Sequence, residues 1–165
     1  MSKAKKSLCV VVDASVARAA GEKEWGVSSN CRKVLECVRS VCHRIALTPE
    51  IRDEWKRHRS TFFRRWLASM FAKKKVVRVD VSGLSGLDET DQSSLPWDVA
   101  KDLHLLDAAV HTDKVVVTRD TKLVRSLQVL PDDSPVREVA DSIRWLNPET
   151  DLSDALRFLL CSGDD

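Results

Sequence analysis

The chain has 165 residues, 43% hydrophobic and 32% charged, with a formal net charge of +2. That length suits one domain with a real core, residues 1–165, and no apolar run approaches the ~18 residues a membrane span needs. The apolar run "LCVVV" ends at Asp13, too short for a secretory signal, and five cysteines form no Cys-x-x-Cys pair. Reduced thiols in a cytoplasmic protein, with no membrane partner, are the expectation.

Residues 8–12 predict a buried strand, short and β-branched, with Asp13 at its carboxyl end. Val34, Val38, Val41 and Ile45 recur at near-helical spacing, predicting a helix over 30–44 capped by Asn30. Within that stretch Cys31, Cys37, Cys42 and His43 are a weak zinc set, because their spacing on a helix is irregular. "RIALTPE" gives a brief strand, then a Thr48 cap with Pro49 at the first helical position, and a helix to about Arg59. A second helix, broken from it near Ser60, carries Phe63, Trp66, Leu67, Met70 and Phe71 toward Lys73–Lys75. "VVRVDV" predicts a third strand, and residues 82–95 a long loop with a short helical turn. Pro96 opens a helix to about His111, followed by a strand over 115–118 and a helix over 120–128. "LPDDSP" reads as a loop, "SIRWL" as a short fifth strand, and "PETDLSDALRFLL" as a closing helix.

Strands alternating with helices predict an α/β fold: a three-layer α/β/α sandwich with a central parallel sheet of four to five strands. Sites in such sheets form beyond the strand carboxyl ends. Asp13 and Asp120 both fall there, although each also suits a helix cap.

On a continuous helix from Pro96, Val99, Leu103, Leu106 and Val110 form an apolar stripe with Ala109 on its edge, and Asp102 lies about 50° from its centre. Asp98 and Asp107 lie nearer the borders, about 90° away. A carboxylate facing the core needs a partner or a metal, so Asp102 is the favoured candidate; the bland alternative is a nearby arginine or a backbone amide. Asp107 is expected to be satisfied at the surface. The helix from Pro49 offers Glu50, Asp53 and Glu54, which helix geometry alone barely separates. His104 and His111 fall on the polar side of their helix and read as ordinary surface residues.

Charge is unevenly spread. Residues 49–75 hold nine basic residues against three acids, whereas residues 80–113 hold eight acids against Lys101 alone. Two solvated helix faces would give this pattern, and so would an acidic site beside a basic flank for a polyanion.

The order "VVVDAS", "LTPEIRDEW", "KDLHLLDAA", "VVVTRD" resembles the PIN domain nucleases, of a bacterial and archaeal PIN-like branch. The resemblance spans residues 8 to about 146, and the separation of Asp102 from Asp120 is its most specific part. It implies a catalytic and metal-binding set of Asp13, Glu54, Asp102 and Asp120, supported by Ser15 and Thr118. Asp107 is a departure, standing where a small residue is more usual. An all-oxygen set points to Mg²⁺ or Mn²⁺. The implied activity is metal-dependent endoribonuclease cleavage of single-stranded or structured RNA, leaving a 5′-phosphate and a 3′-hydroxyl. RNA is thus the implied partner, and a cognate antitoxin-like protein and a homodimer are further partners the resemblance admits. Phosphate contacts are expected from Arg52, Lys56, Arg57, Arg59, Arg64, Arg65, Lys73, Lys74 and Lys75. Trp55, Phe62 and Trp66 are stacking candidates that equally suit a core, and His58 a candidate phosphate contact. Two alternatives stand beside this reading. A receiver-like phosphoacceptor would ordinarily show two adjacent acids after the first strand, and "VVVDAS" has one. A non-catalytic PIN-like module would bind RNA or a protein without turnover.

Overall fold

The computed structural model describes residues 6–81, 83, 84 and 87–162, with the backbone alone at 89 and 90. In chain order the elements are β1 (Cys9–Val12), α1 (Ala14–Ala19), α2 (Gly26–Ser40), β2 (Arg44–Leu47), α3 (Pro49–His58), α4 (Thr61–Ala72) and β3 (Val76–Arg78). They continue with α5 (Glu89–Ser93), α6 (Trp97–Ala100), α7 (Leu103–Val110), β4 (Val115–Val117), α8 (Thr121–Gln128), α9 (Pro135–Asp141), β5 (Arg144–Leu146) and α10 (Leu152–Cys161).

The five strands form one sheet in the order β3-β2-β1-β4-β5, every pair parallel. Val10–Val12 and Val115–Val117 lie side by side at its centre, all buried. Strands covered on both faces read as unbroken apolar runs, which is why these two segments are nearly pure valine. One group of helices contains α1, α2, α4 and α10, the other α6 to α9, and α7 packs on β1 and β4. The architecture is a three-layer α/β/α sandwich.

The chain runs outward from β1 to β2 and β3, then returns to place β4 on the other side of β1. This reversal opens a crevice between the carboxyl ends of β1 and β4, the usual location of a site in an open parallel sheet. Asp13 and Asp120 follow those two ends.

Local signals explain several boundaries. Thr48 accepts from the Ile51 amide at 3.2 Å with Pro49 in the first turn, and Ser60 accepts from the Phe63 amide at 3.0 Å. Trp55, Phe63 and Trp66 fill the core beneath these helices, the Trp55 and Phe63 rings meeting edge-on at 5.2 Å. Phe71, by contrast, is exposed rather than part of that stripe.

Other boundaries differ from expectation. Helix α2 begins at Gly26, whose φ of +73° turns the chain into the helix, so Asn30 is not its cap. Strand β3 ends at Arg78, short of the full "VVRVDV". Helices α1 and α9 were not anticipated. Helix α9 nevertheless has a readable start, with Ser134 accepting from the Arg137 amide and Pro135 in the first turn.

The largest difference lies between Pro96 and His111. The chain forms two helices, α6 and α7, separated at Lys101 and Asp102. Asp102 N–H donates to Val99 O at 3.1 Å and Leu105 N–H to Asp102 O at 3.0 Å, so the break is wound in three-residue turns. This tighter turn shifts the phase of everything after it. Leu105, Leu106, Ala108 and Ala109 are buried, while Leu103 and Val110 are only half-buried. No helix among the described residues is long and apolar enough to cross a membrane.

Candidate metal centre at the strand carboxyl ends

Asp13 occupies the N-cap position of α1, yet its side chain makes no capping bond there. It turns instead toward β4. Oδ2 accepts from Ser15 Oγ at 2.6 Å and from Thr118 Oγ1 at 2.8 Å. Each hydroxyl in turn accepts from a backbone amide: Ser15 Oγ from Arg119 at 3.1 Å, Thr118 Oγ1 from Asp120 at 3.0 Å. Two hydroxyl relays therefore clip the carboxylate of β1 to the chain leaving β4. Backbone geometry adds to the clip, since Asp13 N–H donates to Val117 O at 3.0 Å.

Asp120 does serve as a helix cap, its Oδ1 accepting from the Leu123 amide at 2.9 Å. Its Oδ2 lies 3.7 Å from Lys101 Nζ, and the same ammonium is 3.5 Å from Asp102 Oδ2. Burial opposes the charge on Lys101, but Asp102 and Asp120 outweigh it and hold the pKa above the ordinary lysine value. Sequence reading treated Lys101 only as a lone positive charge in an acidic stretch; its bridging position follows from the helix break.

Asp102 is buried, and its carboxyl is pushed up to about 6, first by burial and then by the charge of Asp13. Lys101 and His104 pull the other way, and Glu54 adds to the repulsion. Glu54 reaches the same place from α3. Its neighbour Trp55 donates Nε1–H to Val12 O at 3.0 Å, pinning this turn of α3 over the end of β1. Glu54 Oε2 lies 3.2 Å from His104 Nε2. This contact with the imidazole holds the Glu54 carboxyl below its ordinary range, against the effect of burial. Burial lowers the His104 pKa, but Glu54, Asp102 and Asp13 together outweigh it and raise it.

His104 is therefore not an ordinary surface residue. Its side chain is 13% exposed, and its Nε2 is wholly buried without an aligned hydrogen bond. Its 3.2 Å approach to Glu54 is an ion pair when the imidazole is protonated, although the two atoms are not aligned as a hydrogen bond. The position two residues after a buried aspartate was available in the sequence, but the continuous-helix wheel pointed it outward. Across the break it points in.

Ligand-type atoms of Glu54, Asp102 and His104 all lie within 4.8 Å of one another. Donors of one small divalent ion stand about 3 Å apart when adjacent and about 4.2 Å when opposite, a spacing close to that of these three groups. The crowded acids and the orphaned imidazole nitrogen fit a divalent cation.

Asp107 lies elsewhere. It is as buried as Asp102, each 9% exposed, so it is not satisfied at the surface as expected. Burial raises its pKa, and the charges acting on it are those of His111 and Glu50. Its Oδ1 makes no hydrogen bond, with His111 Nδ1 3.3 Å away. With Glu50, Leu84, Leu87 and His104 it lines a cavity of about 170 Å³ beside the centre.

The basic residues divide. Arg52, Lys56, Arg57, Arg59, Arg64 and Arg65 are exposed along α3 and the start of α4. Arg52 lies 3.6 Å from Asp53, Arg57 Nε donates to Asp53 O at 3.3 Å, and Arg65 pairs with Glu22 at 3.1 Å. Ser60 N–H donates to Ala17 O, which ties the junction of α3 and α4 to α1, just beyond the carboxyl end of β1. Lys73, Lys74 and Lys75 lie at the other end of α4 and lead into the amino end of β3, where Lys75 O accepts from Ile45 N–H. In a parallel sheet that end is opposite the acids. Lys75 is also committed, its ammonium donating to Arg39 O at 2.6 Å and to Val41 O. The three lysines therefore do not share a face with the centre.

Trp55 and Trp66 are buried, with their N–H groups given to Val12 O and Leu35 O, which removes both as stacking platforms. Trp25 and Trp97 are the exposed indoles among the described residues. The weak zinc set is also dispersed in role: His43 Nδ1 accepts from the Leu8 amide at 3.1 Å and Nε2 meets Leu159 O at 2.6 Å, occupying both nitrogens.

The chain matches no protein-family model, and none of the curated proteins matches it.

Proposed function

We propose that the protein is a Mg²⁺- or Mn²⁺-dependent endoribonuclease of the PIN type, acting through Asp13, Glu54, Asp102 and Asp120. One observation carries this reading: carboxylates from four separate elements are linked by hydrogen bonds and by charge at the topological switch point. Thr118 joins Asp13 to the Asp120 backbone, Lys101 bridges Asp120 to Asp102, and Asp102 feels both Asp13 and Glu54. Such crowding favours a divalent cation over four isolated acids.

A divalent cation bound there supplies Lewis-acid polarisation of a phosphodiester and eases deprotonation of a water. The chain's own groups do the positioning. Asp13, fixed by two hydroxyls on Oδ2, presents a preset carboxylate. Asp13 and Asp102 would be the primary ligands of the cation, with Glu54 and Asp120 ligating it or positioning a water. Attack of the water oxygen at phosphorus would form one P–O bond while the bond to the 3′ oxygen breaks; the proton lost by the water is matched by one the 3′ oxyanion takes up from solvent, giving a 5′-phosphate and a 3′-hydroxyl. The exposed arginines and lysine between Arg52 and Arg65 lead phosphates toward the centre. Trp97, one turn before Lys101, offers an exposed face on which a base can stack.

Cleavage of single-stranded RNA by the purified protein, with and without Mn²⁺ and with Asp13→Asn as control, tests the reading. Metal-dependent cleavage lost in the control supports it. Salt-dependent RNA binding without cleavage would instead support a non-catalytic PIN-like module.

A further inference from the structure

We infer that His104 donates Nε2 to the cation held by Glu54 and Asp102, so that the centre takes Mn²⁺ in preference to Mg²⁺. The inference rests on the reading of this cluster as a metal centre and adds the ligand that sets its selectivity.

Three observations lead to it. First, His104 Nε2 is fully buried and has no aligned hydrogen bond. A buried polar atom left without a partner costs free energy, and nearly all such atoms in folded proteins have one. Second, the partner that approaches it, Glu54 Oε2 at 3.2 Å, does so without hydrogen-bond alignment. A cation set between the two would give each atom a partner at one point. Third, that point is shared with Asp102, because the donors of all three residues lie within 4.8 Å of one another.

The elements that bring them together are independent. Glu54 comes from α3, held by the Trp55 bond to β1, and Asp102 and His104 come from the break between α6 and α7. Helices α3 and α7 are in contact. Had residues 97 to 110 formed one helix, Asp102 and His104 would point about 160° apart. The three-residue turn at the break lets them converge.

The chemistry then decides the metal class. Mg²⁺ binds oxygen donors and holds its waters tightly, so an imidazole in its shell gains it little. Mn²⁺ accepts the same carboxylates and also nitrogen, and stands above Mg²⁺ in its response to a nitrogen donor. A donor set of two carboxylates and one imidazole therefore separates the two ions where a carboxylate-only set would not.

The test uses the 165-residue chain and each metal ion alone. Pulsed electron paramagnetic resonance of the Mn²⁺ complex reads ¹⁴N coupling directly, and calorimetry gives the affinities for Mn²⁺ and Mg²⁺. Wild-type protein is expected to show a ¹⁴N coupling that His104→Gln abolishes and His111→Gln retains. His104→Gln is also expected to lower the ratio of Mn²⁺ to Mg²⁺ affinity by about tenfold. His104→Asn, read beside it, guards against loss of fold, with circular dichroism of both variants as the check. Mn²⁺ binding without ¹⁴N coupling, or an unchanged affinity ratio in folded variants, would overturn the role of His104 while leaving the metal centre standing. Failure of wild-type protein to bind Mn²⁺ at millimolar concentration would overturn both.

Discussion

Thr118 donates its hydroxyl to the Asp13 carboxylate at 2.8 Å, across the crevice where the chain reverses direction in the sheet. The same hydroxyl oxygen accepts from the Asp120 amide, so one side chain fixes two of the four acids. Thr118→Val keeps the shape and removes both bonds. The loss leaves a buried carboxylate with one donor fewer and a backbone amide without its acceptor, at a cost of about 1–3 kcal/mol. The melting temperature should fall by about 2–4 °C per kcal/mol for a chain of this size. Thr118→Ser, which can restore the bonds, should recover most of the loss. Equal stabilities for the valine variant and wild type would remove the relay from the account.

Asp102 gives a pH dependence of definite sign. Its carboxyl titrates at about 6 against an ordinary 3.8, so the folded protein holds this proton more tightly than the unfolded chain. Stability is therefore lost as pH rises through that interval, reaching about 3 kcal/mol above it as an upper bound. Asp102→Asn removes the penalty. In metal-free protein the variant should be more stable than wild type at pH 7.5 and equal to it near pH 3.5. Saturating Mn²⁺ should narrow or reverse the gap at pH 7.5, because only wild type retains the charged ligand. Denaturant unfolding at the two pH values, with and without metal, checks all three expectations. A variant less stable than wild type at pH 7.5 without metal would contradict the crowding of Asp102 by Asp13 and Glu54.

Much of this arrangement was legible beforehand. The valine runs announced two central strands, and the aspartates that follow them marked the crevice between β1 and β4. Thr48-Pro49 announced the helix that carries Glu54. The helix break at Lys101–Asp102 was not legible, because nothing in "VAKDLHLL" is a helix breaker. Its tight turns are imposed by tertiary packing, a level at which local propensity is a weak guide. From that single break came three errors: the surface placement of His104, the surface placement of Asp107, and the neglect of Lys101. The exposed indoles were illegible for a related reason, since Trp55 and Trp66 look no different in sequence from Trp97. The start of α9, by contrast, was written plainly in "DSPVRE" and was passed over for the turn residues before it.

Lys101 serves as an internal counter-cation to the acids, within 4 Å of both Asp102 and Asp120. A divalent ion near Asp102 must compete with that ammonium. Lys101→Met keeps the length of the stem and removes the charge, so it should bind Mn²⁺ severalfold more tightly than wild type. The metal-free variant should also show an Asp102 carboxyl raised further still, since Lys101 is one of the groups lowering it. Calorimetric titration of Mn²⁺ measures the first effect, and carboxyl-resolved NMR titration the second. Weaker Mn²⁺ binding by the variant would instead make the ammonium a supporting member of the centre.

The two ends of α4 offer the last and most discriminating prediction. Its first turns, with Arg64, lie near the carboxyl end of β1 through the bond of Ser60 N–H to Ala17 O. Its final residues run to Lys73 and Lys74 at the amino end of β3, on the far side of the sheet from the acids. All four of Arg57, Arg64, Lys73 and Lys74 are exposed, so sequence composition alone gives them equal claim to a phosphate. Geometry does not. Under the proposed endoribonuclease reading, an RNA strand crossing the centre would meet Arg57 on the helix of Glu54, and Arg64 beyond the α3–α4 junction, without leaving that end of the molecule. Each single-strand phosphate neutralised contributes about −0.7 to the slope of log affinity against log salt. Arg57→Glu with Arg64→Glu should therefore weaken RNA binding and flatten the slope by about 1.4. Lys73→Glu with Lys74→Glu makes the same change in net charge and should leave both nearly unaltered. Fluorescence anisotropy of single-stranded RNA over a range of salt concentrations separates the two pairs. Equal losses from both would mean that net charge, not the placement of the basic residues, governs binding, and a loss confined to the lysine pair would move the RNA path to the opposite end of the sheet.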